Sequence, residues 1–292
     1  MPLPHLRSLL RRIRRGLATV ALAPVALAPV AVALCWGGAA HADAARVLDL
    51  LQTDRLFTIL QGEGVSYGND LAQDMLGQPA DASWGAIVRA IHDPAKLLPE
   101  YRERFAASLD PAQSEAIETW LSSDLGRRSV DLELTAREAM LAPEVEDKAI
   151  EAAARASDAH DPALAAVRRV IAAGDTIDTG VASAMNANLA FYRAMSEAGA
   201  FPQKLSDEVM IADVAAEEEA FRQDITSWTE GWLLFAYRPL SARDMKDLAV
   251  FAASPAGRAL SRAQTVAFDA IYAETSAELG RALARRVRAS DL

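Results

Sequence analysis

The chain has 292 residues, with 40 acidic against 30 basic side chains and a formal net charge of −10. Such a balance argues against nucleic acid and anionic membrane surfaces as partners. One cysteine and 4 histidines are too few for a disulfide framework or a structural zinc cluster.

Residues 1–42 read as an export sequence. "MPLPHLRSLLRRIRRG" carries five arginines and no acid, "LATVALAPVALAPVAVAL" is apolar throughout, and Ala40 and Ala42 flank His41. That order predicts a secretory signal peptide cut after Ala42, and so a periplasmic protein with no transmembrane span once cleaved. An uncleaved anchor is the rival, because the apolar run is just long enough to cross a bilayer. Its two prolines and the A-x-A site favour cleavage. Arg11-Arg12 fits a twin-arginine motif poorly, and Leu34 is too large a neighbour for lipid attachment at Cys35. Cleavage removes Cys35 and five arginines, leaving His92, His160 and a charge of −15 from 25 bases and 40 acids. A cysteine-free mature chain of 250 residues must be held by its core, for which it is long enough.

Beyond the leader, helix signals run throughout and no stretch alternates long enough to predict a strand. The expected class is all-α. "GEGVSYG" (62–68) has the glycines of a phosphate loop but follows no strand and precedes no Lys-Ser/Thr, so it reads as a helix break or tight inter-helix packing. His92 in "AIHDP" and His160 before Asp161 read as surface or capping histidines. Asp110-Pro111 and Asp161-Pro162 each supply an N-cap followed by Pro at the first helical position. Met210, Val214, Phe221, Ile225, Trp228, Trp232 and Phe235 fall at intervals of three, four and seven, which predicts one long helix. Leu260, Ala263, Ala267 and Ile271, with Phe268, Tyr272, Leu279 and Leu283, continue that periodicity.

One segment occurs twice. "SLDPAQSEAIETWLSSDLGRRS" (108–129) aligns without a gap to "PLSARDMKDLAVFAASPAGRAL" (239–260), 131 residues on. The alignment pairs Asp110 with Ser241, Gln113 with Asp244, Ile117 with Leu248 and Trp120 with Phe251. It also pairs Ser123 with Ser254 and Gly126-Arg127 with Gly257-Arg258. An internal repeat predicts a duplicated supersecondary unit. Upstream the agreement is loose, "RVLDLLQTDRL" (46–56) against "RRVIAAGDTI" (168–177). The expected organisation is a first copy over 43–142, a helical linker over 143–163 and a second copy over 164–288. Each copy is expected to turn a corner. Ser123 or Ser254 caps the next helix, with Asp124 or Pro255 in its first turn. Gly126 or Gly257 permits close approach, and Arg127 or Arg258 reaches back to an acid or a carbonyl. Trp120 and Phe251 are expected to be largely buried. Neither serine has a histidine base nearby in sequence, so the corner reads as structural rather than catalytic.

Around these residues the chain resembles a family of exported bacterial proteins catalogued as a domain of unknown function, which carry an F-x-x-S-P-x-G segment. The likeness is carried by "EGVSYGNDLAQDM" (63–75), "NANLAFYRAM" (186–195) and "FAYRPLSARDMKDLAVFAASPAG" (235–257). The first copy departs from the segment, with Asp124 where the second has Pro255. The resemblance implies a helical periplasmic protein and no particular activity.

For function, the sequence offers no catalytic constellation, metal site or cofactor motif. The leading expectation is a non-catalytic interaction or scaffold module acting on an envelope protein. The alternative is a binding protein for a small amphiphile or lipid, along an aromatic stripe of Trp228, Trp232, Phe235 and Tyr237. A weaker alternative is a hydrolase using the carboxylates of Asp213 and Glu217, which would share a helix face.

Overall fold

The structure, a computed structural model, describes residues 39–290 apart from residue 78. Residues 1–38 of the expected export sequence, with Cys35, lie outside the described residues. Among those described there is helix and no strand. No helix among them is long and apolar enough to cross a membrane.

The helices are α1 (Ala39–Leu50), α2 (Thr53–Leu76), α3 (Ala82–Ile91), α4 (Pro94–Ala107), α5 (Pro111–Leu121) and α6 (Asp124–Ala139). Then come α7 (Pro143–Asp158), α8 (Pro162–Ala173), α9 (Thr176–Glu197), α10 (Asp207–Ala215), α11 (Glu218–Ala236), α12 (Ala242–Ala252) and α13 (Pro255–Ser290). Their starts follow from local chemistry. Asp81, Asp93, Asp110, Ser123, Asp161, Ser206 and Ser241 each accept a hydrogen bond from a backbone N–H of the first turn, satisfying a donor that the helix leaves unpaired. Asp110 with Gln113 and Ser241 with Asp244 form reciprocal capping boxes.

Packing follows one order on both sides of α7. Helix α1 packs on α5 as α8 packs on α12, and α2 on α3 as α9 on α10. Across the middle, α6 lies on α11 and α13 lies on α4. The α1–α2 joint turns on Gln52 in the left-handed region (φ 51°), and the α8–α9 joint turns on Asp175 (φ 53°). Helix α7, in the expected linker, is covered by α11. There Gly231 lets the α7 backbone approach, with Ile150 N only 3.0 Å from where a Cβ would stand. The core is an aromatic column of Phe57, Tyr101, Phe105, Phe268 and Tyr272 joining α2, α4 and α13.

One local expectation needs correction, and two are settled between the alternatives that the sequence left open. The periodic run from Met210 to Phe235 is two helices, α10 and α11, with the break at Ala216 and Glu217. The seven-residue interval from Val214 to Phe221 equals about two turns, so a break between them leaves the apolar face in register. The glycines at 62, 64 and 68 do not break α2. A Cβ on Gly64 would meet His92 Cδ2 at 2.3 Å, and one on Gly68 would meet Val88 Cγ1 at 2.5 Å, so these two seat α3 against α2. For the same reason His92 is a buried C-cap rather than a surface group, its Nδ1 2.9 Å from the Val88 carbonyl. Burial lowers its pKa.

Gly257 is the most sterically constrained of these positions. A Cβ there would lie 2.1 Å from the Phe251 carbonyl oxygen, whereas Gly85 has open space within 4 Å. Gly257→Ala is therefore expected to destabilise by about 1–3 kcal/mol. Gly85→Ala, in a helix interior, is expected to stabilise by about 0.5–1 kcal/mol. Thermal unfolding of the two variants checks both signs.

Candidate ligand cavity between the helical corners

The two corners have the same construction. Ser123 Oγ accepts from Gly126 N and Ser254 Oγ from Gly257 N, both at 3.0 Å. The carbonyl of the aromatic residue, Trp120 or Phe251, sits 2.2 or 2.1 Å from where a glycine Cβ would be. Arg127 and Arg258 donate back to the carbonyls of Ser122 and Ala253, and Arg127 also pairs with Asp124 at 2.7 Å. Pro255 opens α13 as Asp124 opens α6. In both corners a serine cap, a glycine and an arginine follow the aromatic residue at the same spacing.

Trp120 and Phe251 meet. Their rings stack with centroids 3.9 Å apart and an interplanar angle of 12°. Both are half-buried, less than expected. Each ring covers the other instead of entering the core, which leaves the rims exposed.

Beside the stack lies a cavity of about 210 Å³. Its wall contains pairs of residues 131 positions apart, extending the register of the corners: Trp120 and Phe251, Leu121 and Ala252, Val130 and Ser261, Glu133 and Gln264, Tyr101 and Trp232. The wall is largely apolar, with its polar groups at a few points. Thr53, Tyr101 and Ser261 are 1, 0 and 5 % exposed. The hydroxyls of Thr53 and Ser261 make no hydrogen bond among the described residues, while that of Tyr101 lies against the side-chain amide of Gln264 as its polar partner. An unpaired buried hydroxyl costs about 1–3 kcal/mol.

Glu133 is the acid of this space. The residue is half-buried, its carboxyl lines the cavity, and desolvation pushes its pKa up to about 7 despite the hydrogen bond from Tyr237. The Tyr237 hydroxyl donates to Glu133 Oε1 at 2.5 Å, and Trp232 Nε1 donates to the Glu133 carbonyl at 2.9 Å. The Tyr237 phenol is pushed well up by burial and by this neighbouring carboxylate. One turn on, Arg137 reaches Glu63 through Nε and Nη2 at 2.6 and 2.9 Å. Trp228 and Trp232 cover its guanidinium, with ring centroids 5.3 and 5.7 Å away. This buried fork ties α6 to α2.

The aromatic stripe does not line one groove. Trp232 and Tyr237 face the cavity. Trp228 is buried beside Arg137, at the edge of a separate acidic cleft with Glu146 and Asp70. Phe235, 40 % exposed, points outward over a groove between α7, α8, α11 and α12. Asp213 and Glu217 are half-exposed and do not line the cavity. No group of three or more His, Cys, Asp or Glu among the described residues could hold a metal ion.

Thr53, Tyr101, Glu133, Arg137 and Ser261 were not predicted as site residues. "DLELTARE" (131–138) looks like an ordinary solvated helix face. The available signal was the 131-residue register, which continues past the corner to Glu133 and Gln264 and back to Tyr101 and Trp232.

Residues 95–155 match a family described as "Uncharacterized protein conserved in bacteria (DUF2059)". The match runs from α4 through the first corner into α7 and lies outside the three stretches that carry the resemblance read from the sequence. No curated protein matches the chain. No solved structure matches it either.

A carboxyl with a raised pKa contributes stability fully below its ordinary value near 4.5, and that contribution is lost as pH rises through about 7. Glu133→Gln keeps an acceptor for Tyr237 and removes the ionisation. Relative to wild type, the variant is expected to gain about 2 kcal/mol, or about 5 °C, between pH 5 and pH 8. Thermal melts across that range check it, because the other shifted carboxyls are common to both proteins.

Proposed function

We propose that the chain is an exported helical binding protein made of two fused copies of one six-helix unit, holding a small, mostly apolar molecule between their corners. The copies are α1–α6 and α8–α13, with α7 in the linker expected over 143–163. Support for the duplication comes from the matched corners, the matched order of helix pairing and the pairs 131 residues apart around the cavity. The export sequence expected over residues 1–42 supports a periplasmic location.

The observation that carries the binding reading is the pair of buried, unpaired hydroxyls of Thr53 and Ser261 lining one cavity beside the Tyr101 phenol. Buried polar groups normally have partners, and a ligand would supply them. A cavity of about 210 Å³ accommodates a molecule somewhat larger than benzene, which an engineered cavity of about 150 Å³ binds in another protein. The proposal assigns no catalytic step and no cofactor.

An interaction module of the envelope is the second reading. It is favoured by the outer groove of about 850 Å³, where the exposed Phe235 lies among Lys148, Arg169 and Arg238.

Ser261→Leu fills the cavity and removes one of its hydroxyls. Wild-type protein is expected to bind benzyl alcohol in calorimetric titration, and Ser261→Leu to lose that binding while keeping an unfolding temperature at or above wild type. A folded Ser261→Leu that binds benzyl alcohol as wild type does defeats the reading, as does a wild type that binds neither benzyl alcohol nor its charged analogues benzylamine and benzoate.

A further inference from the structure

The charges around the cavity restrict its ligand. Two lining side chains are ionisable to a full charge near neutral pH, Glu133 and Arg137. Arg137 is engaged twice by Glu63 and lies beside two adjacent indoles, so those charges cancel inside the protein. Glu133 has no cationic partner. Tyr237 occupies Oε1 as a neutral donor, and the second oxygen makes no hydrogen bond among the described residues. The remaining titratable groups on the wall are the phenols of Tyr101 and Tyr237, both pushed up by burial and therefore neutral.

A buried carboxylate without a counter-charge is costly, and an ionised donor relieves it better than a neutral one. An anionic ligand would add like charge to the same desolvated space. A neutral ligand would leave the carboxylate uncompensated. A cation supplies what the wall lacks, with hydroxyls at Thr53, Tyr101 and Ser261 to accept its remaining N–H groups.

We infer that the cavity takes a small apolar amine in its ammonium form, the nitrogen donating to the free oxygen of Glu133 and the hydrocarbon body packed on the aromatic wall. This inference rests on the cavity being the ligand site.

The test is calorimetric titration at pH 8 with three probes of one shape: benzylamine, benzyl alcohol and benzoate. Benzylamine is expected to bind about tenfold or more tighter than benzyl alcohol, the difference expected of a charge-assisted hydrogen bond, and benzoate weakest. In Glu133→Gln the amine-to-alcohol ratio is expected to fall to about one. Alcohol binding as tight as the amine in wild type overturns the inference and leaves the cavity reading standing. Benzoate binding tightest overturns the inference in the same way. An amine preference that survives in Glu133→Gln places the cation elsewhere and also overturns it. Binding of none of the three removes the cavity reading, and this inference with it. The ranking in wild type stands as a test even if the variant does not fold.

Discussion

The stack of Trp120 on Phe251 sets the distance between the two helical corners, and much of the molecule is arranged around that distance. With ring centroids 3.9 Å apart, the two capped turns cannot close further, and α6 and α13 leave the stack to lie across α11 and α4. Each corner is rigid because a backbone carbonyl occupies the place of a glycine side chain and a serine closes the first turn of the next helix. The cavity is the space these rigid turns leave when their aromatic residues meet ring to ring rather than interdigitating.

That space joins unpaired hydroxyls to a carboxyl with no cationic partner. Elsewhere the charges are paired at the surface, as Arg55 with Asp131 and Glu138, Lys96 with Glu274 and Glu278, and Arg286 with Asp81. Such exposed pairs contribute about 0–1 kcal/mol each. The buried pair of Glu63 and Arg137 is fully engaged, with a fork of two bonds and indoles above it. It would be strongly destabilising to break, by about 3–5 kcal/mol. At the cavity the hydroxyls of Thr53 and Ser261 lack partners, as do Ser114, Asn188 and Tyr192 elsewhere, and here they stand on the same wall as a carboxyl desolvated without a cation. Perturbed ionisable groups gathered in a hollow are characteristic of functional sites, because a fold selected only for stability would pair or remove them.

The joints were legible in the sequence because caps are local. Asp110 with Gln113 and Ser241 with Asp244 declare their helix starts within four residues, and the serine, glycine and arginine of each corner act within a further five. The internal register identified Trp120 and Phe251 as equivalent but not that each would be the other's cover. What depends on distant partners was not legible. The burial of His92 is set by Gly64, on a different helix, and Glu133 is desolvated by its tertiary surroundings and accepts a hydrogen bond from Tyr237, 104 positions away. The break at Glu217 was hidden by an apolar interval equal to two turns. The stripe from Trp228 to Tyr237 was read as one surface, but a helix turns about 100° per residue, and its members reach an inner cavity, an acidic cleft and an outer groove.

The central claim is that the wall at the corners is completed by a ligand, and the most direct measurement is a crystal structure of protein purified from its native cells. The account predicts continuous density for one compact molecule in the cavity, within hydrogen-bond distance of Glu133 and of at least one hydroxyl among Thr53, Tyr101 and Ser261. A cavity closed by side-chain repacking, with those hydroxyls bonded to protein groups and Glu133 paired to a cationic side chain, would contradict it.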